Sequence, residues 1–79
     1  MITINLNELY TNTAKLSELN HYEQQVLTLA GNGNEITLTG AAPVWLYLRL
    51  AHALHGKAIK LNYNSPVTGL VIVFDHNPF

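Results

Sequence analysis

The stretch ITLTGAAPVWLYLRLAHALH, residues 36–55, decides the fold. It opens as a strand, passes through a small-residue turn from Gly40 to Pro43 and leads into a helix, because proline is tolerated in a first helical turn. Val44 to His55 is predicted to be the main helix, and Gly56 is a natural C-terminal stop. Arg49 is the only formal charge in this helix, so we expect sheet, partner or ligand to cover both of its faces.

The flanking segments predict the sheet on which this helix packs. Polar and apolar residues alternate from Ile2 to Leu6, which is the period of a half-buried strand. A short helix is predicted between Thr13 and Tyr22, and strands at Ala58 to Tyr63 and Leu70 to Phe74 are separated by a turn at Asn64 to Gly69. The predicted class is α/β (α+β), with a small single-layer sheet of about four to five strands, one long helix and one short helix.

Residues 26–39 allow two interpretations. Val26–Leu29 and Ile36–Thr39 flank Gly31–Asn34, a cluster that tolerates positive φ, so a hairpin is the simplest prediction. In the alternative, the first run is irregular and Ile36–Thr39 is a parallel strand that leads into the main helix.

Length and composition limit the chain to one small domain, residues 1–79, and favour an oligomer. A chain this short buries only about 60% of its unfolded surface, and it has no cysteine to form a disulfide. Charged residues make up 11% of the sequence, far below the ~25% of an ordinary soluble domain. Burial of such a weakly charged surface in an interface is more favourable than its exposure to water, so we expect a homodimer or a higher oligomer.

The composition also excludes several classes of partner. Four Lys and Arg residues are too few to neutralise many phosphates, so we expect no binding of duplex DNA. No apolar run approaches the ~20 residues of a transmembrane helix, and the start of the chain lacks the basic and apolar regions of a signal peptide. We therefore expect no membrane association and a cytoplasmic localisation.

His52 and His55 are the most suggestive residues for chemistry. They lie three apart on the predicted helix and share a face with Trp45 and Leu48. Imidazole titrates near neutrality, so such a pair is suited to acid–base catalysis or phosphate binding in phosphodiester chemistry. The alternative is structural, since histidines also cap the last carbonyls of a helix. Trp45 and Tyr47 could stack on a base, although aromatic residues in an apolar helix more often belong to a core or an interface.

Other candidate residues lie at the ends of predicted strands. The turn from Gly40 to Pro43 presents the free amides of a helix N-terminus to an anion, unless its small residues serve only close packing. His76, in a polar tip after the last strand, is a further candidate for ligand binding. A zinc site would draw further ligands from His21, His76 or Asp75, whose spacing matches no known motif, so no metal ligand is predicted.

A series of short motifs runs through the second half of the chain. They are Thr39-Gly40-Ala41-Ala42-Pro43-Val44-Trp45-Leu46, Leu50-Ala51-His52-Ala53-Leu54-His55, Tyr63-Asn64, Gly69 and His76-Asn77-Pro78. In their order and spacing they resemble a CRISPR-associated ring nuclease family, the third of the type III accessory ring nucleases, which is also described as a manganese-dependent RNA deadenylase.

This resemblance implies a function. Members of such a family form a small α/β dimer, sandwich a cyclic tetra-adenylate second messenger with another dimer and cut it to linear products, which switches off type III CRISPR antiviral signalling. The expected partners are thus cyclic oligoadenylate and a second homodimer. No cofactor is required on sequence grounds, and the family's description makes Mn²⁺ the one to consider.

The resemblance also assigns roles to residues. His55 becomes the candidate catalytic acid, base or phosphate donor, and Asn64 falls on the family's aspartate. The family's basic residue falls near Val67, so Lys57 or Lys60 would have to supply the positive charge. The amide of Asn64 cannot act as the base that the family's carboxylate provides. The side chain of Val67 cannot replace the positive charge of the family's basic residue. Taken together, the residue patterns and the resemblance predict these ligand-binding residues: Thr39, Gly40, Ala41, Ala42, Pro43, His52, Lys60 and His76.

Three functional hypotheses follow. The first is a phosphodiesterase for cyclic oligoadenylate, based on the two helix histidines and on the order of the motifs. The second is a sensor or sponge that binds the ring without cutting it, based on Asn64 and Val67. The third is a small oligomeric interaction subunit with no nucleotide, which the low charge would suit.

Overall fold

The computed structural model describes residues 1–78, which form four strands and two α-helices. The elements are β1 (Ile2–Asn5), α1 (Leu19–Ala30), β2 (Glu35–Thr39), α2 (Val44–Leu54), β3 (Lys60–Ser65) and β4 (Gly69–Asp75), with short 3₁₀ helices at Leu6–Glu8 and Leu16–Glu18. The strands form one sheet in the order β1-β2-β3-β4, in which β1, β2 and β3 are parallel and β4 is antiparallel to β3. The predicted α+β class with a small sheet is confirmed.

Both helices pack on one face of the sheet. α1 connects β1 to β2 and α2 connects β2 to β3, and right-handed crossovers in the same direction place both helices on the same side. The two helices touch, and the Arg49 Nε atom lies 2.7 Å from the Glu23 Oε1 atom across their contact. Within residues 1–78, no helix packs on the opposite face of the sheet.

The hairpin interpretation of residues 26–39 is wrong. Val26–Leu29 lies within α1, whose buried residues are Leu19, Tyr22, Val26 and Ala30. Their spacing of three and four is the period of a helix, and burying this stripe outweighs the β-propensity of a four-residue run. Ile36–Thr39 is the parallel strand of the alternative interpretation, although the preceding run is helical rather than irregular.

The lengths of the helices also differ from expectation. α1 has 12 residues and α2 has 11, so there is no pair of one long and one short helix in the described chain. α1 continues to Ala30, well beyond the predicted end at Tyr22. It ends there because the next residue, Gly31, has a positive φ that does not continue a helix. Neither helix is long and apolar enough to cross a membrane.

The core lies between the sheet and one stripe of each helix. Leu46, Leu50 and Leu54 recur every four residues on α2, and none of them is exposed. They pack with buried residues of the strands, namely Ile4, Ile36, Leu38 and Leu61. Val44 and Leu48, on the other side of α2, are 72% and 68% exposed, so within the described chain this side of the helix stays uncovered.

Polar side chains interact on the sheet face that carries no helix. The Asn62 Nδ2 group donates to Glu35 Oε2 at 2.8 Å and to Thr37 Oγ1 at 3.3 Å. Lys60 Nζ lies 3.8 Å from the same Glu35 oxygen. The predicted alternation of β3, with Lys60 and Asn62 on the polar face and Leu61 in the core, is confirmed.

Candidate functional site

A cleft of about 500 Å³ opens where β2 and β3 end and α2 begins. Carboxyl ends of parallel strands meet at one edge of a sheet, which is where ligands bind in α/β folds. The residues that line it are Thr39, Gly40, Ala41, Ala42, Val44, Tyr47, Tyr63, Asn64, Ser65 and Pro66. None of them carries a formal charge at neutral pH.

Gly40 makes the turn at the floor of the cleft possible. Its φ is +105°, a conformation that L side chains rarely adopt, and a Cβ atom there would overlap the Asn5 Oδ1 atom. That oxygen accepts a hydrogen bond of 3.0 Å from the Asn7 backbone N–H, so it is not free to move aside. The end of β1 therefore packs closely against the turn that follows β2.

Two tyrosine hydroxyls fix the same turn. Tyr47 Oη donates to the Gly40 carbonyl at 2.5 Å, and Tyr10 Oη donates to the Ala41 carbonyl at 2.8 Å. With both carbonyls held, the turn has one defined orientation relative to the start of α2.

The N-terminus of α2 is left without a side-chain cap. Pro43 is the N-cap residue, and it has no side-chain hydrogen bond to offer. Its carbonyl accepts hydrogen bonds from the backbone N–H groups of Leu46 and Tyr47. The N–H groups of Val44 and Trp45 come too early in the helix to have a carbonyl partner within it. These first-turn amides and the positive end of the helix dipole adjoin the cleft and favour an anion there.

Tyr47 is a hydrogen-bond donor, not a base. Burial raises the pKa of its hydroxyl to about 12, with the electrostatic influence of Tyr63 and then Tyr10 as smaller causes. The Tyr47 and Tyr63 rings meet edge to face with centroids 4.9 Å apart. Both rings line the cleft, so aromatic surface is available beside the helix N-terminus.

A second cluster lies at the other end of the fold. His55 follows the last residue of α2, and its ring centroid is 5.2 Å from that of Phe74 and 4.9 Å from that of His76. The His76 backbone N–H donates to the Ile59 carbonyl at 2.8 Å, which ties the end of β4 to the segment before β3. Both histidines are exposed, and His55 and His76 together are called the histidine end. The 11 residues of α2 separate it from the cleft by about 16 Å, since a helix rises ~1.5 Å per residue.

The structure divides the predicted site residues among four places. Thr39, Gly40, Ala41, Ala42 and Asn64 line the cleft together, with Pro43 at its edge as the N-cap of α2. His55 and His76 form the histidine end. His52 lines a shallow groove with Trp45 and Leu48, so the predicted shared face holds for His52 and fails for His55, which lies beyond the helix. Lys60 is ion-paired with Glu35 on the polar face.

His55 and Asn64, the two predicted catalytic residues, are thus not brought together within one chain. Residue 64 lies near the end of β3 and His55 lies before its start. Most of the residues between them belong to β3, which rises ~3.3 Å per residue. His55 and Asn64 therefore lie at opposite ends of this strand.

Sequence reasoning missed Asn5, Tyr10 and Tyr63 at the cleft. The contact of Asn5 with the turn depends on the parallel pairing of β1 with β2, and Tyr10 reaches a carbonyl 31 residues away. Nothing local signals either contact. Tyr63 could have been found, because it alternates with Asn62 onto the helix side of β3 and lies where that strand ends.

The cleft lacks the carboxylates that would anchor Mn²⁺. Carboxylate, carbonyl and water oxygens suit this ion, and the cleft lining offers the Asn64 amide but no carboxylate. Across residues 1–78, no group of three or more His, Cys, Asp or Glu side chains is arranged to hold a metal ion.

The family of the chain follows from its sequence as a whole. A family model described as "CRISPR-associated protein (Cas_csx3)" matches residues 8–79, a range that contains both helices, the cleft turn and strands β2 to β4. No curated protein and no solved structure matches the chain. The expected CRISPR association is confirmed, and the chain belongs to the CRISPR-associated Cas_csx3 family.

Proposed function

We propose that the protein binds the second messenger cyclic tetra-adenylate in its cleft and thereby lowers type III CRISPR signalling. The observation that carries the proposal is the uncapped N-terminus of α2, which opens onto an uncharged cleft beside the rings of Tyr47 and Tyr63. Phosphates bind to such amides, and bases stack on aromatic rings. Membership of a CRISPR-associated family supports a ligand from that pathway.

The electrostatics of the cleft support an anionic ligand. No lining residue is a carboxylate, so nothing there repels a phosphate. The volume of about 500 Å³ is within the ~300–1,000 Å³ of ligand pockets. A ring of four nucleotides exceeds one such cleft, which is consistent with a ligand sandwiched between two dimers.

Cleavage in this proposal requires a second copy of the chain. The cleft contains no imidazole, and the histidine end lies at the opposite edge of the sheet. We infer that His55 of another copy meets a ligand held in the cleft. Its imidazole takes the proton of a ribose 2′-hydroxyl, O2′ attacks the adjacent phosphorus, and the bond from phosphorus to O5′ breaks.

The products of this step are balanced. The ring opens to a linear chain with a 2′,3′-cyclic phosphate at one end and a 5′-hydroxyl at the other, and the departing oxygen takes up one proton. Helix amides stabilise the charge that develops on the phosphoryl oxygens. Proton transfer by a positioned imidazole contributes about 10²–10⁴-fold to the rate.

A sensor or sponge is the second candidate function. Asn64 lines the cleft where the resembled family has an aspartate, and Val67, near the place of the family's basic residue, is 88% exposed at the hairpin turn. Neither side chain supplies a base or a cation to a phosphate. Binding without cleavage is the result that favours this candidate.

The test is incubation of the pure protein with labelled cyclic tri-, tetra- and hexa-adenylate, with binding measured by gel shift and products by chromatography. We expect binding and cleavage of the tetramer, and binding without cleavage by His55→Ala. Tetramer binding without cleavage by the wild type would instead identify a sensor or sponge. Failure to bind any of the three rings would overturn the proposal and favour the interaction subunit.

A further inference from the structure

The cleft lining has no positively charged side chain for the phosphate that we place there. The chain has four Lys and Arg residues. Two of them, Arg49 and Lys60, are held in ion pairs with glutamates. Lys57 lies just beyond His55, at the other end of α2 from the cleft. Lys15 is the remaining cation, and it takes part in no ion pair within residues 1–78.

The loop that carries Lys15 lies at the same side of the sheet as the cleft. β1 and β2 are parallel, so the loop after β1 begins at the side where the cleft turn after β2 begins. Within this loop, Tyr10 Oη donates to the carbonyl of Ala41, a residue of the cleft lining, at 2.8 Å. Lys15 follows Tyr10 by five residues, and an extended chain of that length spans about 17 Å. Lys15 is therefore within reach of the cleft from a point that is fixed at its edge.

The segment from Thr11 to Lys15, which we call the flap, is held only weakly to the rest of the protein. None of its residues is buried. A cavity of about 310 Å³ lies between the flap and α1, with Thr11, Lys15 and Tyr22 among its lining residues. The Lys15 backbone N–H donates to Tyr22 Oη at 3.1 Å beside this cavity. Segments with few buried contacts open at a small part of the global free energy of unfolding, so the flap is free to change position.

Asn12 gives the flap a strained backbone. Its φ is +67°, and among residues 1–78 no other residue except glycine has a positive φ. The Thr13 backbone N–H donates to the Thr11 carbonyl at 2.9 Å and closes a three-residue turn around Asn12. Such turns with a positive central φ are rare and strained. Strained backbone is concentrated at ligand clamps and switch segments, so Asn12 is the natural hinge of the flap.

We propose that the flap closes over an occupied cleft by rotation about Asn12, and that the Lys15 ammonium then binds a phosphate of the ligand. The hydrogen bond from Tyr10 to Ala41 keeps the base of the flap at the cleft in both positions. Lysine acts on a phosphate as a flexible point charge, which is what the uncharged cleft lining lacks. The role of Lys15 rests on the proposed function, whereas the closing movement of the flap does not.

The role of Lys15 is tested by the salt dependence of binding to cyclic tetra-adenylate. We expect Lys15→Gln to bind ~5-fold more weakly than the wild type at low salt. Its plot of log affinity against log KCl concentration should be shallower by ~0.7, the value for one phosphate contact of a single strand. Arg49→Gln has the same net charge and should keep the wild-type slope, because Arg49 is paired at the contact between the helices.

The possible results separate this role from the proposed function. Equal slopes for Lys15→Gln and the wild type would overturn the role of Lys15 and leave binding in the cleft intact. A wild type that binds no ring would overturn both.

Closure of the flap is tested without nucleotide, because the chain has no cysteine of its own. Pro66 lines the cleft on the side of β3, two strands away from β1. A disulfide needs Cα atoms within about 7 Å, so Lys15→Cys and Pro66→Cys meet only when the flap crosses the cleft. With oxidised glutathione, this double variant should form an intramolecular disulfide, seen as a faster monomer band on a non-reducing denaturing gel.

The control pairs Pro66→Cys with Leu29→Cys. Leu29 is 55% exposed near the end of α1, so this double variant should form no intramolecular disulfide. Equal cross-linking of the two double variants, or none in either, would overturn the closing movement. Because no nucleotide is present, this result is independent of the proposed function.

Discussion

Gly40 and Tyr47 show how single residues define the cleft. The sequence left open whether the small-residue turn serves an anion or only close packing. The structure shows close packing at Gly40, which allows the close approach of Asn5, and it leaves the amides after Pro43 without a cap, as an anion site requires. Sequence reasoning located the turn because glycine and proline mark it locally. It could not choose between the roles, because the contact with Asn5 comes from another strand.

Gly40→Ala is expected to destabilise the protein by about 3 kcal/mol, because it adds a steric overlap with Asn5 to the strain of a positive φ. Gly33→Ala is the control, since Gly33 has φ +72° with nothing within 4 Å of an added Cβ. Its cost should be limited to the ~1–2 kcal/mol of the left-handed conformation. Urea denaturation measures both, and equal costs would show that Asn5 does not limit the turn.

Alkaline pH should weaken the fold through Tyr47. The pKa of its hydroxyl is raised in the folded state from 10.0 to about 12, so the folded protein holds this proton more tightly than the unfolded chain. Its contribution to stability is complete below pH 10 and is lost as the pH rises from 10 to 12. The free energy of unfolding, measured in urea across this range, should fall less steeply for Tyr47→Phe. Identical slopes would contradict a raised pKa at Tyr47.

Asn64→Asp tests whether residue 64 faces the ligand. A carboxylate there should weaken binding of cyclic tetra-adenylate by repulsion and raise single-turnover cleavage about tenfold or more, since it supplies a second base. Asn32→Asp, the same change in the exposed loop between α1 and β2, should alter neither quantity. If Asn64→Asp behaves like this control, residue 64 does not contact the nucleotide.

At the scale of elements, the positions of the four strands and of the second helix were predictable, and the first helix was not. Residues 44–54 form a helix as predicted because proline and glycine bound it and because one stripe recurs every four residues. Val26–Leu29 was misassigned because four apolar or β-branched residues fit a strand locally. Only the burial of the earlier residues Leu19 and Tyr22 reveals the longer helical stripe.

Each helix should depend on its buried stripe. Leu50→Ala on α2 is expected to cost about 2–5 kcal/mol, because Leu50 has no exposed surface and its loss leaves a cavity. Leu29→Ala on α1 removes the same atoms from a side chain that is 55% exposed, and it should change stability by less than ~1 kcal/mol. Chemical denaturation midpoints measure the difference. Similar costs would contradict the orientation of one of the two helices.

At the scale of the whole molecule, the candidate site has two separate parts. The turn from Thr39 to Ala42 and Asn64 lie together in the cleft because the parallel strands β2 and β3 end at the same side of the sheet. Sequence motifs could not show that His55 lies at the other edge, since that depends on the direction in which α2 runs back over the sheet. One chain therefore supplies a cleft and, elsewhere, a pair of imidazoles. Cleavage in this account needs two copies.

The most direct test of the account is the affinity for cyclic tetra-adenylate of two variants that each add one negative charge. Ala41→Glu places a carboxylate at the cleft, where Ala41 is exposed, and Leu29→Glu places one on the exposed side of α1. Calorimetric titration should show at least a tenfold loss of affinity for Ala41→Glu and an affinity close to that of the wild type for Leu29→Glu. Equal affinities for the two variants would mean that the ring does not bind in this cleft.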